Sequence, residues 1–235
     1  MPKYFIETNI IIGYTVDWDR QSSVVQQYVE TRADGVDIHT CSRVLGEAED
    51  VINDRKRLAK QAARRVFQDC NAPGRNTPVN QVINFVRREL SHKRDAEVDH
   101  VIQHIKDNEY YYAGLTQTNS TSALQRTIAD IDSDFDGAVA VVRSIRNHNC
   151  SELDCAIFTE GLQDYSSYGV FNRVNQILSN SPNDRDILMD SYHLTQENGI
   201  GCLHFITMDG DLLNNETQLE SLLNTIDIES PGSIP

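Results

Sequence analysis

Lysine is scarce in this chain. There are 5 lysines in 235 residues, beside 16 arginines, 22 aspartates and 13 glutamates, and the formal charge is −14. So few cations exclude a binder of the histone kind, whose whole surface meets nucleic acid. Proline (6) and glycine (12) are also sparse, and with 39% apolar residues the chain can bury a core, which excludes long disorder and low complexity. The five cysteines, Cys41, Cys70, Cys150, Cys155 and Cys202, are odd in number and form no Cys-x-x-Cys pair, so neither a disulfide framework nor a zinc ribbon is indicated. No run of about 18 apolar residues occurs. Met-Pro-Lys-Tyr-Phe-Ile-Glu shows no charged leader followed by an apolar run. These absences predict a soluble cytoplasmic protein with reduced thiols and no membrane partner.

The charge that is present is unevenly placed. Aspartate-rich, lysine-poor surfaces resemble those of salt-adapted, halophilic organisms, where high salt screens a dense shell of short carboxylates. Residues 1–54 hold 4 basic and 10 acidic side chains, residues 55–106 hold 12 and 5, and residues 107–235 hold 5 and 20. The basic block is built from Arg55, Lys56, Arg57, Lys60, Arg64 and Arg65, then Arg87, Arg88, Lys93 and Arg94. It reads equally well as a phosphate-binding face and as solvated helix surface.

Periodicity predicts a short buried strand at Lys3–Glu7, a helix from about Asp19 to Arg32, a strand at Val36–Thr40 and a helix starting near Ser42. The middle is helical. Stripes run through Val79, Val82, Ile83, Val86 and Leu90, then Val98, Val101, Ile102 and Ile105, then Leu124 to Val142. Thr77-Pro78 reads as a cap with proline at the first helical position, and 71–76 and Thr116–Thr121 read as linking loops. The last third predicts helices at Val170–Leu178, Asp186–Glu197 and Thr217–Leu223, with strands at Leu203–Thr207 and Ile226–Glu229. Strands alternating with helices imply an α/β fold, a mostly parallel central sheet with helices on both faces. In such sheets the site lies at the carboxyl ends of the strands.

Acidic residues fall at those ends. Glu7 closes the first strand in Phe5-Ile6-Glu7-Thr8-Asn9, and Asp209 follows a later one in Phe205-Ile206-Thr207-Met208-Asp209. Glu47 lies about one turn into the helix after the second strand, and Asp186 lies in the first turn of the helix before the Asp209 strand. This ordered set resembles the PIN-domain nucleases, through Glu7-Thr8-Asn9, Ser42-Arg-Val-Leu-Gly-Glu47, Asp186-Ile-Leu-Met-Asp190 and Thr207-Met-Asp209-Gly-Asp211.

The resemblance implies a PIN-like three-layer core in two parts, 1–54 and 183–235, separated by a long helical insertion or cap at 55–182 that contains the basic segment 55–106. It implies a metal-dependent endoribonuclease in which Glu7, Glu47, Asp186 and Asp209 hold Mg²⁺ or Mn²⁺, with Asp190 and Asp211 as further candidate ligands. Thr8, Asn9 and Thr207 would orient carboxylates or water. Cleavage of RNA would leave a 3′-hydroxyl and a 5′-phosphate. Arg55, Lys56, Arg57, Lys60, Arg64, Arg65, Arg87 and Arg88 would bind the RNA. A homodimer is compatible with this reading, and no cognate inhibitor can be named. The family's first acid is normally aspartate, and Glu7 sets its carboxylate one methylene further out, a change that exacting octahedral magnesium tolerates poorly.

Acids are needed because hydrolysis of a phosphodiester requires a nucleophilic water and stabilised phosphoryl charge, which ions held by hard carboxylate oxygens supply. Two other functions compete with this one. They are a non-catalytic PIN-like module that binds RNA or protein, motivated by Glu7, and another metal hydrolase on the same kind of sheet.

Several patterns are set aside. Asp132-Ser-Asp134-Phe-Asp136-Gly137 begins like a calcium loop, but Arg143 stands where a bidentate glutamate is needed. His100 and His104, four apart, read as an exposed helical pair rather than zinc ligands. Cys150 and Cys155 read as small packing groups. Tyr110, Tyr111 and Tyr112 read as helix packing or base stacking. Asp190 reads as part of a solvated acidic face, and Asp211 as the cap of a short helix.

Overall fold

A computed structural model describes residues 3–32, 37–69, 78–93, 95–118, 120–146, 156–159, 164–197 and 199–233. Arg94, Thr77, the expected loop at 71–76, and Cys70, Cys150 and Cys155 lie outside these residues.

Five strands form one sheet. They are β1 (Lys3–Ile6), β2 (Asp37–Cys41), β3 (Ala156–Thr159), β4 (Leu203–Ile206) and β5 (Ile226–Glu229), in the order β3-β2-β1-β4-β5. Every neighbouring pair is parallel. The central β1 reads Tyr4-Phe5-Ile6, all buried, as a parallel strand covered on both faces requires. The chain steps outward from β1 to β2 to β3 and then returns to lay β4 on the other side of β1. Right-handed crossovers taken in opposite directions put their helices on opposite faces. The reversal opens a crevice between the carboxyl ends of β1 and β4.

Helices α1 (Thr8–Thr15) and α2 (Ser22–Arg32) join β1 to β2, and α3 (Ser42–Asp69) follows β2. Then come α4 (Val79–Glu89), α5 (Asp95–Asp107), α6 (Glu109–Thr118) and α7 (Thr121–Arg146). Helices α8 (Phe171–Ile177) and α9 (Pro182–Glu197) lie between β3 and β4, and α10 (Gly210–Asn214) and α11 (Glu216–Leu222) between β4 and β5. The expected loop at 116–121 shrinks to two residues, because α6 runs to Thr118 and α7 starts at Thr121. Pro78 occupies the cap position of α4, one residue before the place expected for it.

The chain divides into two compact units. The sheet unit is Met1–Thr15, Ser23–Glu49 and Val141–Pro235, and the helical unit is Val16–Ser22 and Asp50–Ala140. The insertion expected over 55–182 therefore ends early. Residues from Val141 on belong with the sheet, because they carry β3, which pairs with β2 from Ile38 to Cys41, and α8, which packs on α9. The sheet unit is centred on Phe5, Ile6, Ile10, Ile11, Leu45, Leu188 and Phe205. The helical unit has its own core, with Leu58, Val86, Leu90, Ile102, Tyr112 and Phe135 buried. Among the described residues no helix is long and apolar enough to cross a membrane.

One close approach fixes how α1 meets α2. A Cβ on Gly13 would lie 2.9 Å from Val25 Cγ2 and 3.3 Å from Val25 Cβ, and the β-branched valine has little freedom to yield. Gly13→Ala should therefore destabilise the protein by about 1–3 kcal/mol in urea unfolding. Adding Val25→Ala should recover part of that loss, whereas two additive losses would place the cause elsewhere.

Candidate metal centre

The crevice between β1 and β4 is stitched by the residues that carry the sequence pattern. The backbone ladder continues one step past the strands, with Glu7 N–H donating to the Ile206 carbonyl at 3.2 Å and Thr207 N–H to the Glu229 carbonyl at 3.0 Å. The Glu7 carbonyl accepts from Ile10 and Ile11 and so starts α1. Asn9 Oδ1 accepts from Met208 N–H at 3.1 Å, tying the turn after β1 to the turn after β4. Asn9 thus orients backbone and not a carboxylate.

Two threonines do orient carboxylates. Thr8 Oγ1 donates to Glu47 Oε2 at 2.8 Å. Thr207 Oγ1 donates to Glu7 Oε2 at 3.0 Å while accepting from Asp209 N–H at 2.9 Å. Asp209 Oδ1 in turn accepts from Asp211 N–H at 2.7 Å and Leu212 N–H at 3.3 Å. Asp209, and not Asp211, is therefore the N-cap of α10. Asp211 sits in the first turn, exposed, and accepts from Ser181 Oγ.

Helix α9 contributes Asp184 instead of Asp186. Carboxylate oxygens of Asp184, Asp209 and Asp211 all lie within 4.8 Å of one another. Asp186 faces another way and pairs with Arg185 at 2.7 Å and Arg43 at 3.6 Å. The cause is the helix start. Helix α9 begins at Pro182, four residues before the expected first residue, so Asp184 falls in its first turn, and two further residues rotate Asp186 about 200° round the axis. Ser181-Pro182, a good cap followed by proline at the first helical position, is the sequence signal that marks this start.

Asp190, four residues beyond Asp186, shares its face but is not solvated. It is 2% exposed and accepts from Tyr165 Oη, from Arg43 Nε at 3.5 Å and from Cys41 Sγ at 3.4 Å. Asp186 and Asp190 thus belong to an ion-pair network in which Arg43 and Arg185 answer their charges.

The gathered acids at the crevice carry the opposite signature. Glu7 is 3% exposed. Burial pushes its carboxyl up from 4.5 to about 8; the Thr207 hydrogen bond works against that shift, and the charges of Asp184, Asp209 and Glu47 reinforce it. Burial also raises Asp184 to about 6, with Asp209, Glu47 and Asp211 adding to the rise and Ser181 opposing it. Mutually repelling carboxylates with hard oxygen donors fit Mg²⁺ or Mn²⁺. Oδ1 of Asp209 is held by the cap, so Oδ2 is the oxygen that would meet an ion.

The helical unit treats its charges differently. Arg55 donates to Asp19 Oδ2 at 2.9 Å and contacts His100 Nε2 at 2.7 Å. Burial, then Arg55, lowers His100 to about 4, so the imidazole is neutral. Lys60 reaches Asp132 at 2.8 Å, and Lys56 reaches Asp132 at 3.0 Å and Asp136 at 2.8 Å. Helical spacing turns Arg55, Lys56 and Lys60 toward these partners, so each of the three is already paired with a carboxylate. Arg57, Arg64, Arg65, Arg87 and Arg88 remain on the exposed surface, Arg57 beside Asp54 at 3.0 Å and Arg88 over the Phe85 ring. The histidines are not an exposed pair. His104 is fully buried among Trp18, Phe135 and Tyr112. Tyr112 is core, and Tyr110 is exposed.

Comparison with protein-family models, with curated proteins and with solved structures finds no match to the chain.

The shifted acids make stability depend on pH. A folded-state value above the unfolded one means that the proton on Glu7 is held more tightly when the protein is folded. The stability this contributes is whole below about pH 4.5 and is lost as pH rises through about 8. Metal-free protein should therefore lose stability between about pH 5 and pH 8, by up to about 4 kcal/mol from Glu7. Denaturant titrations in a chelating buffer should show this slope, and Glu7→Gln should flatten it.

Proposed function

We propose that the chain is a PIN-like, metal-dependent endoribonuclease of the cytoplasm that hydrolyses RNA phosphodiester bonds with Mg²⁺ or Mn²⁺. The observation that carries the reading is the convergence of Glu7, Glu47, Asp184, Asp209 and Asp211 from four elements at the switch point of a parallel sheet, with Glu7 buried and its carboxyl raised to about 8. Such a cluster costs stability without a cation and gains it with one.

Each residue has a task in this reading. Asp184, Asp209 and Asp211 would hold the ion, and Glu7 would ionise beside it. Thr207 keeps Glu7 Oε2 turned toward the turn after β4, and Thr8 fixes Glu47. The bound ion would supply an activated water and stabilise charge on the phosphoryl oxygens. Arg64, Arg65 and Arg87, exposed on the helical unit, are cations suited to phosphates along an RNA strand. Asp186 and Asp190, paired with Arg43 and Arg185, are left out.

End-labelled RNA with Mn²⁺ or Mg²⁺, at low and at molar salt, tests the reading. Wild type and Asp186→Asn should cut, leaving 3′-hydroxyl and 5′-phosphate ends, while Asp184→Asn and Asp209→Asn should each lose at least about 100-fold in rate. Equal cutting by all four proteins would sink the proposal. A non-catalytic PIN-like module is the second reading, favoured by Glu7 standing where aspartate is expected, with one oxygen already engaged by Thr207. Cleavage by Glu7→Asp where wild type has none would select it.

A further inference from the structure

Along β4 and β5 lies a set of side chains whose donor chemistry differs from that of the crevice. Cys202 immediately precedes β4, and His204 stands two residues later. Residues two apart on an extended chain point to the same face. On the neighbouring β5, Asp227 is the register partner of His204, and Glu229 follows two residues on. Sulfur, imidazole nitrogen and two carboxylates are thereby set on one face of the sheet edge. The His204 ring is braced from β1 by stacking on Tyr4, with ring centroids 5.0 Å apart.

The spacing of the donor atoms is that of one coordination shell. Cys202 Sγ lies 3.1 Å from Asp227 Oδ2. His204 Nδ1 lies 2.6 Å from Glu229 Oε1 and 4.0 Å from Asp227 Oδ2. One donor atom each from Cys202, His204 and Asp227 falls within 4.8 Å of the others. Zinc bonds of about 2.0–2.3 Å place tetrahedral ligand atoms roughly 3.3–3.8 Å apart, a spacing near that of the Cys202, His204 and Asp227 atoms, with Glu229 beside His204 as a fourth donor. The set includes a thiol and an imidazole, which hard magnesium does not seek and borderline-soft zinc does.

We propose that Cys202, His204, Asp227 and Glu229 form a second metal site, selective for a zinc-type divalent ion and distinct from the carboxylate centre between β1 and β4. Binding exchanges protons for the metal. The thiol proton leaves to solvent, and the imidazole carries its single proton on Nε2 while Nδ1 takes the metal. The two hydrogen bonds that now hold the donors, Cys202 to Asp227 and His204 to Glu229, are replaced by bonds to one ion. The site joins β4 to the edge strand β5, so a loaded site adds a tie across that pair.

Cobalt(II) followed by zinc titration of the full chain tests this without reference to nuclease activity. The expected result is a thiolate-to-cobalt charge-transfer band with intense tetrahedral d–d bands, saturating with one Co²⁺ at this site and discharged by Zn²⁺. Cys202→Ser, exposed and conservative, should abolish the charge-transfer band. His204→Ala and Asp227→Asn should each weaken zinc binding at least about 10-fold. The Asp184→Asn/Asp209→Asn double variant should keep the band, which separates this site from the other centre. The proposal is overturned by absence of the band at one equivalent, by its survival in Cys202→Ser, or by zinc affinity unchanged in that variant.

Discussion

Glu7 ends the central strand with 3% of its surface exposed, facing the charges of Asp184, Asp209 and Glu47, and its environment favours the protonated form. Much of the sheet unit is organised around that buried carboxyl. Thr207 is placed by the β4 ladder to donate to it, Asp209 N–H braces Thr207, and Asp209 in turn caps α10. The hydrogen bonds run from a buried acid on β1, through a hydroxyl after β4, to the start of the next helix. On the proposed reading, a cation at this crevice would change the charge state of an interior group to which the turn after β4 is tied through Thr207.

The two units deal with acid in contrasting ways. In the helical unit Asp19, Asp132 and Asp136 each meet an arginine or lysine within about 3 Å, so those residues are neutralised from within and hold helices together. In the sheet unit Asp186 and Asp190 share Arg43. At the crevice, by contrast, Glu7 and Asp184 face mainly other carboxylates, the arrangement on which the proposed ion site rests. The formal charge of −14 is the excess of 35 acidic over 21 basic side chains, and the acids at the crevice are part of it. The basic segment divides into Arg55, Lys56 and Lys60, used internally, and a few exposed arginines.

The strands β1 and β4 are legible in the sequence because apolar runs stop at Glu7-Thr8-Asn9 and at Thr207-Met208-Asp209, and β5 because Ile226-Asp227-Ile228-Glu229 alternates apolar and acidic residues. Strand β3 is not legible: it is as short as β1, β4 and β5, and its assignment depends on pairing with β2, a long-range contact. Acids placed by strand ends, Glu7 and Asp209, fall where the pattern puts them. The acid placed by a helix start does not, because a shift of the start by four residues exchanges Asp184 for Asp186, and only Ser181-Pro182 carries that information. Burial of Asp190 and His104 depends on which neighbours arrive from distant segments, Tyr165 and Arg43 for one and Trp18 and Phe135 for the other. Spacing along a helix shows which residues share a face, not what covers it.

The most direct measurement is the position of Mn²⁺ in crystals soaked with the ion, read from its anomalous scattering. The account predicts a peak within about 2.2–2.5 Å of carboxylate oxygens from Asp184 and Asp209, with Glu7 turned toward it and Asp186 still bound to Arg43. A peak on Asp186 and Asp190, or none at the crevice at saturating Mn²⁺, would contradict it.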